Sequence, residues 1–300
     1  MHTLTKIFSN KFSIYGAVIR FASSLPKYET LTVSVPRKNV YHVEMSRPQK
    51  LNTVNKVMWG DLKDCFRALH DDAECRVIVL SGQGKLFTAG IDLNSLIEYF
   101  STANDIEDIG RRGRFLYKYI KECQDSISSL EDCIKPVLTV IHGACIGAGV
   151  DLITAADMRY CTEDAWFQVK EVEVGLAPDV GTLQRLPKVI GSASIVRELC
   201  YTARKVYAKE ALDIGLVSKV LPDKESAIAH ALSLAADIAS KSPVAVQATK
   251  QNLVFSLEKT NAEGLEHIAL LNTVNHQSED LTKSAIAMAS KGDKPEFEDY

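Results

Sequence analysis

The chain has 300 residues, 46% of them hydrophobic and 24% charged, with 35 basic against 38 acidic side chains and a net charge of −3. That length and balance suit one large globular domain or two ordinary ones, exclude collagen, disorder and a secreted mini-protein, and give a polyanion binder no basis. Seven cysteines with no CxxC pair argue against a disulfide framework or zinc knuckle, and the longest apolar stretch, Val137 to Val150, is broken by His142 and too short to span a bilayer.

The first acidic residue is Glu29, and before it stand Lys6, Lys11, Arg20 and Lys27 with four serines, Ser9, Ser13, Ser23 and Ser24. On a helical wheel Leu4, Phe8, Phe12, Tyr15 and Ile19 share a face, Lys6 and Arg20 lie opposite, and Lys11 intrudes on the apolar arc. An acid-free, basic, serine-bearing amphipathic start reads as a mitochondrial transit peptide over residues 1–27. The 35 basic residues less those four leave 31 against 38 acidic ones, so the mature protein carries −7. A matrix location is expected, and the chain does not close on an SKL-type tripeptide.

From about Tyr28, short β-rich runs alternate with helical periods. Strands are predicted at Val40–Met45, Val77–Ser81, Val137–His142, Met158–Cys161 and Val217–Leu221. Met58, Leu62, Phe66 and Leu69 form one helical stripe, and turns fall at Gly82–Gly84, Lys135–Pro136 and Pro178. The alternation predicts an α/β core over 28–242 with parallel strands. After Ser242–Pro243 three helices are predicted, at Val244–Leu257, Ala262–Val274 and Ser278–Ser290, forming a C-terminal region over 243–300. Its apolar stripe of Ile268, Leu271 and Val274 needs cover, from its own domain or from a neighbouring subunit.

Several motifs fall away. Gly82-Gln83-Gly84-Lys85 lacks the first glycine of a phosphate loop and reads as a strand-end turn, and Gly143, Gly147 and Gly149 do not make a dinucleotide fingerprint. His142, within an apolar run, reads as a core histidine, and neither GxSxG nor HExxH occurs. Two glycine-bearing strand-to-helix loops remain, Leu86–Leu93 and Ile141–Leu152. Small residues let backbone approach a ligand, and the N–H groups at a helix start are free to donate. Alone, either loop would signify close packing of helix on strand. Together they can aim one N–H each at a single oxygen.

These loops, with Arg47-Pro48, Asn52 and the segment Gly175–Leu186 carrying Pro178, Gly181 and Gln184-Arg185-Leu186, resemble the enoyl-CoA hydratase/isomerase (crotonase) superfamily over roughly residues 30–290. The resemblance implies an α/β spiral of ββα units, a helical C-terminal trimerisation region, and homo-trimers or homo-hexamers. It implies an acyl-CoA thioester substrate whose oxygen is held by the backbone N–H groups of Ile91 and Ala148. Ala89, Gly90, Leu93 and Gly147 would then contact the substrate or its coenzyme A. Coenzyme A is part of the substrate, so no separate cofactor or metal is expected, nor a nucleic-acid partner.

Carboxylates separate the reactions. Hydratases of the family carry glutamates at the positions matching 151 and 171; here Asp151 and Glu171 stand there, with Asp179 after Pro178. That trio resembles the dienoyl-CoA isomerase branch, which converts 3,5-dienoyl-CoA to 2,4-dienoyl-CoA in β-oxidation of unsaturated fatty acids. Strand alternation would put Glu171 and Glu173 on one face and cannot choose between them; the resemblance chooses Glu171. It leads us to expect Glu171 and Asp179 as the acid/base pair, with Asp151 polarising or orienting the acyl chain. Burial and mutual repulsion can hold two carboxyls in opposite protonation states. The alternatives are a hydratase, or a non-enzymatic acyl-CoA or RNA binding module whose densest basic residues are Lys188, Arg197, Arg204, Lys205 and Lys209.

Overall fold

The computed structural model describes residues 26–300 and, ahead of them, only the pieces Ser13–Ile14, Ala17–Val18 and Arg20–Phe21. Those pieces run as strand, whereas the wheel drew a helix through them. The rest of the expected leader, apart from Pro26 and Lys27, lies outside the described residues.

The main sheet takes its strands in the order Lys219–Leu221, Met158–Thr162, Val137–Ile141, Val77–Gly82, Val40–Met45 and Leu31–Arg37, with Arg20–Phe21 at the last edge. Neighbours from 219–221 across to 40–45 are parallel, and 31–37 returns antiparallel. All five predicted strands are present, with ends shifted by a residue or two. The strand at 31–37 was missed because Pro36 and the polar Thr32 and Ser34 dilute its β signal. A second, three-stranded sheet joins Val206–Tyr207, Trp166–Gln168 and Ala144–Ile146. Single bridges continue that layer, Thr88 to Cys145 and Val54 to Ile91. Successive units therefore run main-sheet strand, second-layer segment, helix, as the spiral reading expects.

The helices follow from caps and stripes. α1 (Lys56–Asp71) starts where the Asn55 side chain accepts the Met58 N–H, and buries Met58, Leu62, Phe66 and Leu69, the predicted stripe. α2 (Leu93–Asn104) packs on α3 (Ile109–Asp132), which packs on α1, and α4 (Ala148–Ala155) is buried throughout. After α5 (Thr182–Ile190), α6 (Ala193–Thr202) and α7 (Ala208–Asp213), α8 (Lys224–Ala239) lays Ala227, Ala231, Ala235 and Ala239 on the opposite face of the main sheet. Alanine at every fourth position keeps that seam thin. Val77 and Val79 point to it, while Ile78 and Leu80 point into the larger core.

α9 (Pro243–Ser256), α10 (Asn261–Asn275) and α11 (Glu279–Ser290) match the three predicted C-terminal helices within two residues. At Gly264, in the first turn of α10, a Cβ would lie 2.6 Å from Ser256 Oγ, a mark of how closely α9 and α10 pack there. Buried Lys250 fixes α9 to the core by pairing with Asp157 at 2.8 Å and donating to the carbonyls of Leu130 and Lys135. All seven cysteines are buried and free.

Candidate active site

The site begins at two backbone kinks. Thr88 N–H donates to Ala144 O (3.1 Å) and Ile146 N–H to Thr88 O (3.2 Å), so the two loops lie edge to edge. At Gly90 (φ 91°) a Cβ would meet Ile146 O at 2.9 Å, and at Gly149 one would meet Thr88 Cγ2 at 2.5 Å. Glycine is thus required for contact between the loops, which the sequence left open. Asn52, fully buried, sends its amide to the carbonyls of Gln83, Leu86 and Phe87 and accepts the Arg47 N–H, fixing the first loop from beneath. His142, also buried, bonds Gly84 O at 2.9 Å, in keeping with its reading as a core histidine.

A cavity of about 660 Å³ opens beside these loops. Ala89, Gly90, Ile91, Leu93, Gly147, Ala148, Glu171 and Asp179 all border it. Of the predicted site residues only Asp151 does not: it is wholly buried in α4, one layer behind the wall. One of its oxygens accepts the Thr182 N–H at the start of α5 at 2.5 Å, and the other has no hydrogen-bond partner among the described residues. Among the described residues neither the Ile91 nor the Ala148 N–H has an acceptor, and both sit at the cavity.

Glu171 is not on a strand. The strand stops at Gln168, and Glu171–Val174 form a single 3-10 turn ending on Gly175. This separates the two glutamates that alternation could not. Glu173 points to solvent and pairs with Lys170, whereas Glu171 folds inward against Gly147, whose Cβ, if present, would lie 3.0 Å from Glu171 Oε1. Asp179 follows buried Pro178, and its carbonyl accepts from Gln124 Nε2 at 2.7 Å, tying that loop to α3. Arg185 braces α5, donating to Glu131 (2.7 Å) and Ser128 (3.0 Å).

Burial pushes Glu171 up to about 7, with the charge of Asp151 adding to the rise. Burial likewise lifts Asp151 to about 6, against the bonds from Thr182 that favour its ionised form. Asp179 is also raised by burial. At about 7, the Glu171 carboxyl can both give and take a proton near neutral pH.

Sequence reasoning missed the far wall. Trp59 on α1, Tyr99 on α2, and Leu116, Tyr119 and Ile120 on α3 line it, with Tyr99 stacked on Tyr119 at 3.9 Å between centroids. Their spacing is that of ordinary core stripes, and only the packing of three helices reveals a shared cavity. The basic residues considered for RNA are mostly engaged: Arg204 with Glu198 and Glu210, Lys188 with Glu258, Lys209 with Asp213, and Lys205 over the Trp166 ring.

Comparison with known proteins bears on the family of the chain and on its fold. The family model described as enoyl-CoA hydratase/isomerase matches residues 36–300. The mitochondrial Delta(3,5)-Delta(2,4)-dienoyl-CoA isomerase of Homo sapiens is 52% identical over 265 residues, 87% of this chain and 79% of that one. The peroxisomal isomerase of the same name from Arabidopsis thaliana is 41% identical over 278 residues, 91% of this chain and 99% of its own. A putative enoyl-CoA hydratase from Streptomyces coelicolor superposes with a TM-score of 0.82 at 28% identity, covering 92% of this chain and 97% of that structure. The chain belongs to the enoyl-CoA hydratase/isomerase family.

Proposed function

We propose that the protein is an isomerase that converts 3,5-dienoyl-CoA to 2,4-dienoyl-CoA in the oxidation of unsaturated fatty acids. The observation that carries this reading is one cavity bordered by two unsatisfied backbone donors and two raised carboxyls, Glu171 and Asp179. Names of relatives at about half identity support it.

The chemistry follows from the substrate. A C2 proton of a 3,5-dienoyl thioester is weakly acidic because its removal spreads charge through the diene onto the thioester oxygen. Donation from Ile91 and Ala148 N–H stabilises that oxygen by roughly 3 kcal/mol for each well-aimed donor. One of Glu171 and Asp179, ionised, takes the C2 proton; the other, protonated, delivers one to C6. The double bonds move from C3 and C5 to C2 and C4, and exchange with solvent resets the pair. Asp151 acts on the pair through its charge, which helps keep Glu171 raised. Ala89, Gly90, Leu93 and Gly147 line the approach for the coenzyme A ester, and no cofactor beyond the substrate's own coenzyme A enters the scheme. A hydratase reading is weaker because Asp151, in place of glutamate, shortens one of the two carboxyl arms that would hold the water.

Residues 1–27 are proposed as a leader directing the enzyme to the mitochondrial matrix, supported by their basic, acid-free composition and by the mitochondrial relative from Homo sapiens. The C-terminal helices are proposed as the seat of a homo-trimer or homo-hexamer. They leave Leu265, Val274 and Met288 exposed by 68%, 67% and 82%. The function is tested by rates against matched 3,5-dienoyl-CoA and 2-enoyl-CoA esters. Growth of conjugated 2,4-dienoyl absorbance is expected; rapid hydration of the 2-enoyl ester with no isomerisation would overturn it.

A further inference from the structure

The peptide that carries the Ile91 N–H is held from the side away from the cavity. Val54 N–H donates to Gly90 O at 2.8 Å, and Asp92 N–H donates to Val54 O at 3.0 Å. In a parallel bridge, the residue bracketed in this way turns its own N–H away from the partner segment. Ala89 N–H, two residues earlier, donates to Leu51 O on the partner segment, so the positive φ of Gly90 is what reverses the direction at Ile91.

One position beyond Ile91, the Asp92 carboxylate adds a cluster of further restraints on this ladder. Its Oδ2 accepts from Arg47 Nη2 at 3.3 Å and from Thr53 Oγ1 at 3.2 Å, while Oδ1 accepts the Asn94 and Ser95 N–H groups at the start of α2. Arg47 also donates to Thr53 O, so one guanidinium grips both segments. The pair is largely withdrawn from solvent, at 14% and 13% side-chain exposure. Burial alone would raise Asp92, but the bonds from Ser95, Arg47 and Thr53 keep it below the usual carboxylate range. A helix cap needs only the Asn94 and Ser95 bonds. The link to Arg47 and Thr53 is extra, and it acts on the segment that brackets Ile91.

We infer that Arg47 and Asp92 are a positioning pair that fixes the aim of the Ile91 amide at the thioester oxygen. Asp92 borders the cavity, yet both of its oxygens are committed elsewhere, so it acts through Ile91. This inference rests on the proposed role of the Ile91 and Ala148 amides.

The test uses Asp92→Ser, which can still cap α2 but is too short to reach Arg47, together with Asp92→Asn, whose single oxygen can cap α2 while its NH2 donor faces the Arg47 guanidinium, and Arg47→Met. A mis-aimed donor costs less than the 10²–10³ of a lost one, so kcat should fall roughly 10- to 100-fold in Asp92→Ser and Arg47→Met, with KM within about threefold. Asp92→Asn should fall with Asp92→Ser, because it keeps the α2 cap but loses the acceptor that Arg47 and Thr53 use. A second readout is the absorption band of bound 2,4-dienoyl-CoA, which moves to the red when its carbonyl is polarised. The wild type should show that shift, and Asp92→Ser should lose most of it while still binding the product. Retention of kcat within threefold in Asp92→Ser and Arg47→Met, or a fall in kcat with the wild-type band unchanged, overturns the positioning role. Absence of the shift in the wild type itself would instead overturn the role given to the amides.

Discussion

Replacing Glu171 with Gln should make the protein less active and, at alkaline pH, more stable. Burial raises this carboxyl from its ordinary 4.5 to about 7. Between those values the native state binds a proton that the unfolded chain has released, so stability falls as pH rises through that window and the full penalty is present above 7. At about 1.4 kcal/mol for each tenfold in the ionisation constant, the rise corresponds to about 3 kcal/mol. Solvent at the edge of the side chain screens part of this, leaving about 2 kcal/mol. The amide carries no charge to desolvate and no repulsion toward Asp151. Chemical denaturation of both proteins at matched protomer concentration, from pH 4.5 to pH 8, should show the variant gaining about 2 kcal/mol relative to wild type across the range. Isomerase turnover should drop roughly 10²- to 10⁴-fold, as expected for loss of a general acid or base. A stability difference that stays flat within about 0.5 kcal/mol from pH 4.5 to pH 8 would refute the claim that Glu171 is held in a charge-disfavouring site.

Asp179→Asn should lower kcat by roughly 10²-fold or more while the KM for the coenzyme A ester changes little, because this side chain is assigned to proton transfer rather than binding; full retention of rate would remove Asp179 from the pair. The pH profile of kcat/KM should be bell-shaped, since the pair works only when it holds one proton. Its alkaline limb should begin near pH 7, where Glu171 ionises, and a rate that climbs steadily past pH 8 would contradict this. Gly90→Ala should cost about 1–3 kcal/mol of stability through its positive φ and the 2.9 Å approach to Ile146 O, and should lower kcat beyond what lost fold accounts for. Thermal melts and rates measured on the folded fraction separate the two effects.

Much of the scaffold was legible because its signals are local. The strands at 40–45 and 77–82 are dense in β-branched residues, and the α1 stripe follows helical spacing, so both stand at or within a residue or two of their expected places. The catalytic loops could be located by their glycines but not justified: that Gly90 abuts Ile146 and Gly149 abuts Thr88 is a fact of two distant segments meeting. Glu171 was singled out by resemblance, whereas period-two alternation was the wrong rule there, since the backbone tightens into a 3-10 turn after Gln168. The burial of Asp151 depends on where α5 begins, which no spacing within 148–152 records. The aromatic wall was invisible for a similar reason, since Trp59, Tyr99 and Tyr119 come from three helices and each reads singly as core.

The central claim, that two carboxyls on one cavity carry a proton from one end of a diene to the other, is tested most directly by running the reaction on 3,5-dienoyl-CoA in deuterated water and locating the label in the product. The account predicts 2,4-dienoyl-CoA with one deuterium at C6, because the group that delivers the proton is refilled from solvent and is not the group that received the C2 hydrogen. A product whose new C6 hydrogen is the one removed from C2, or no 2,4-dienoyl-CoA at all, would contradict it.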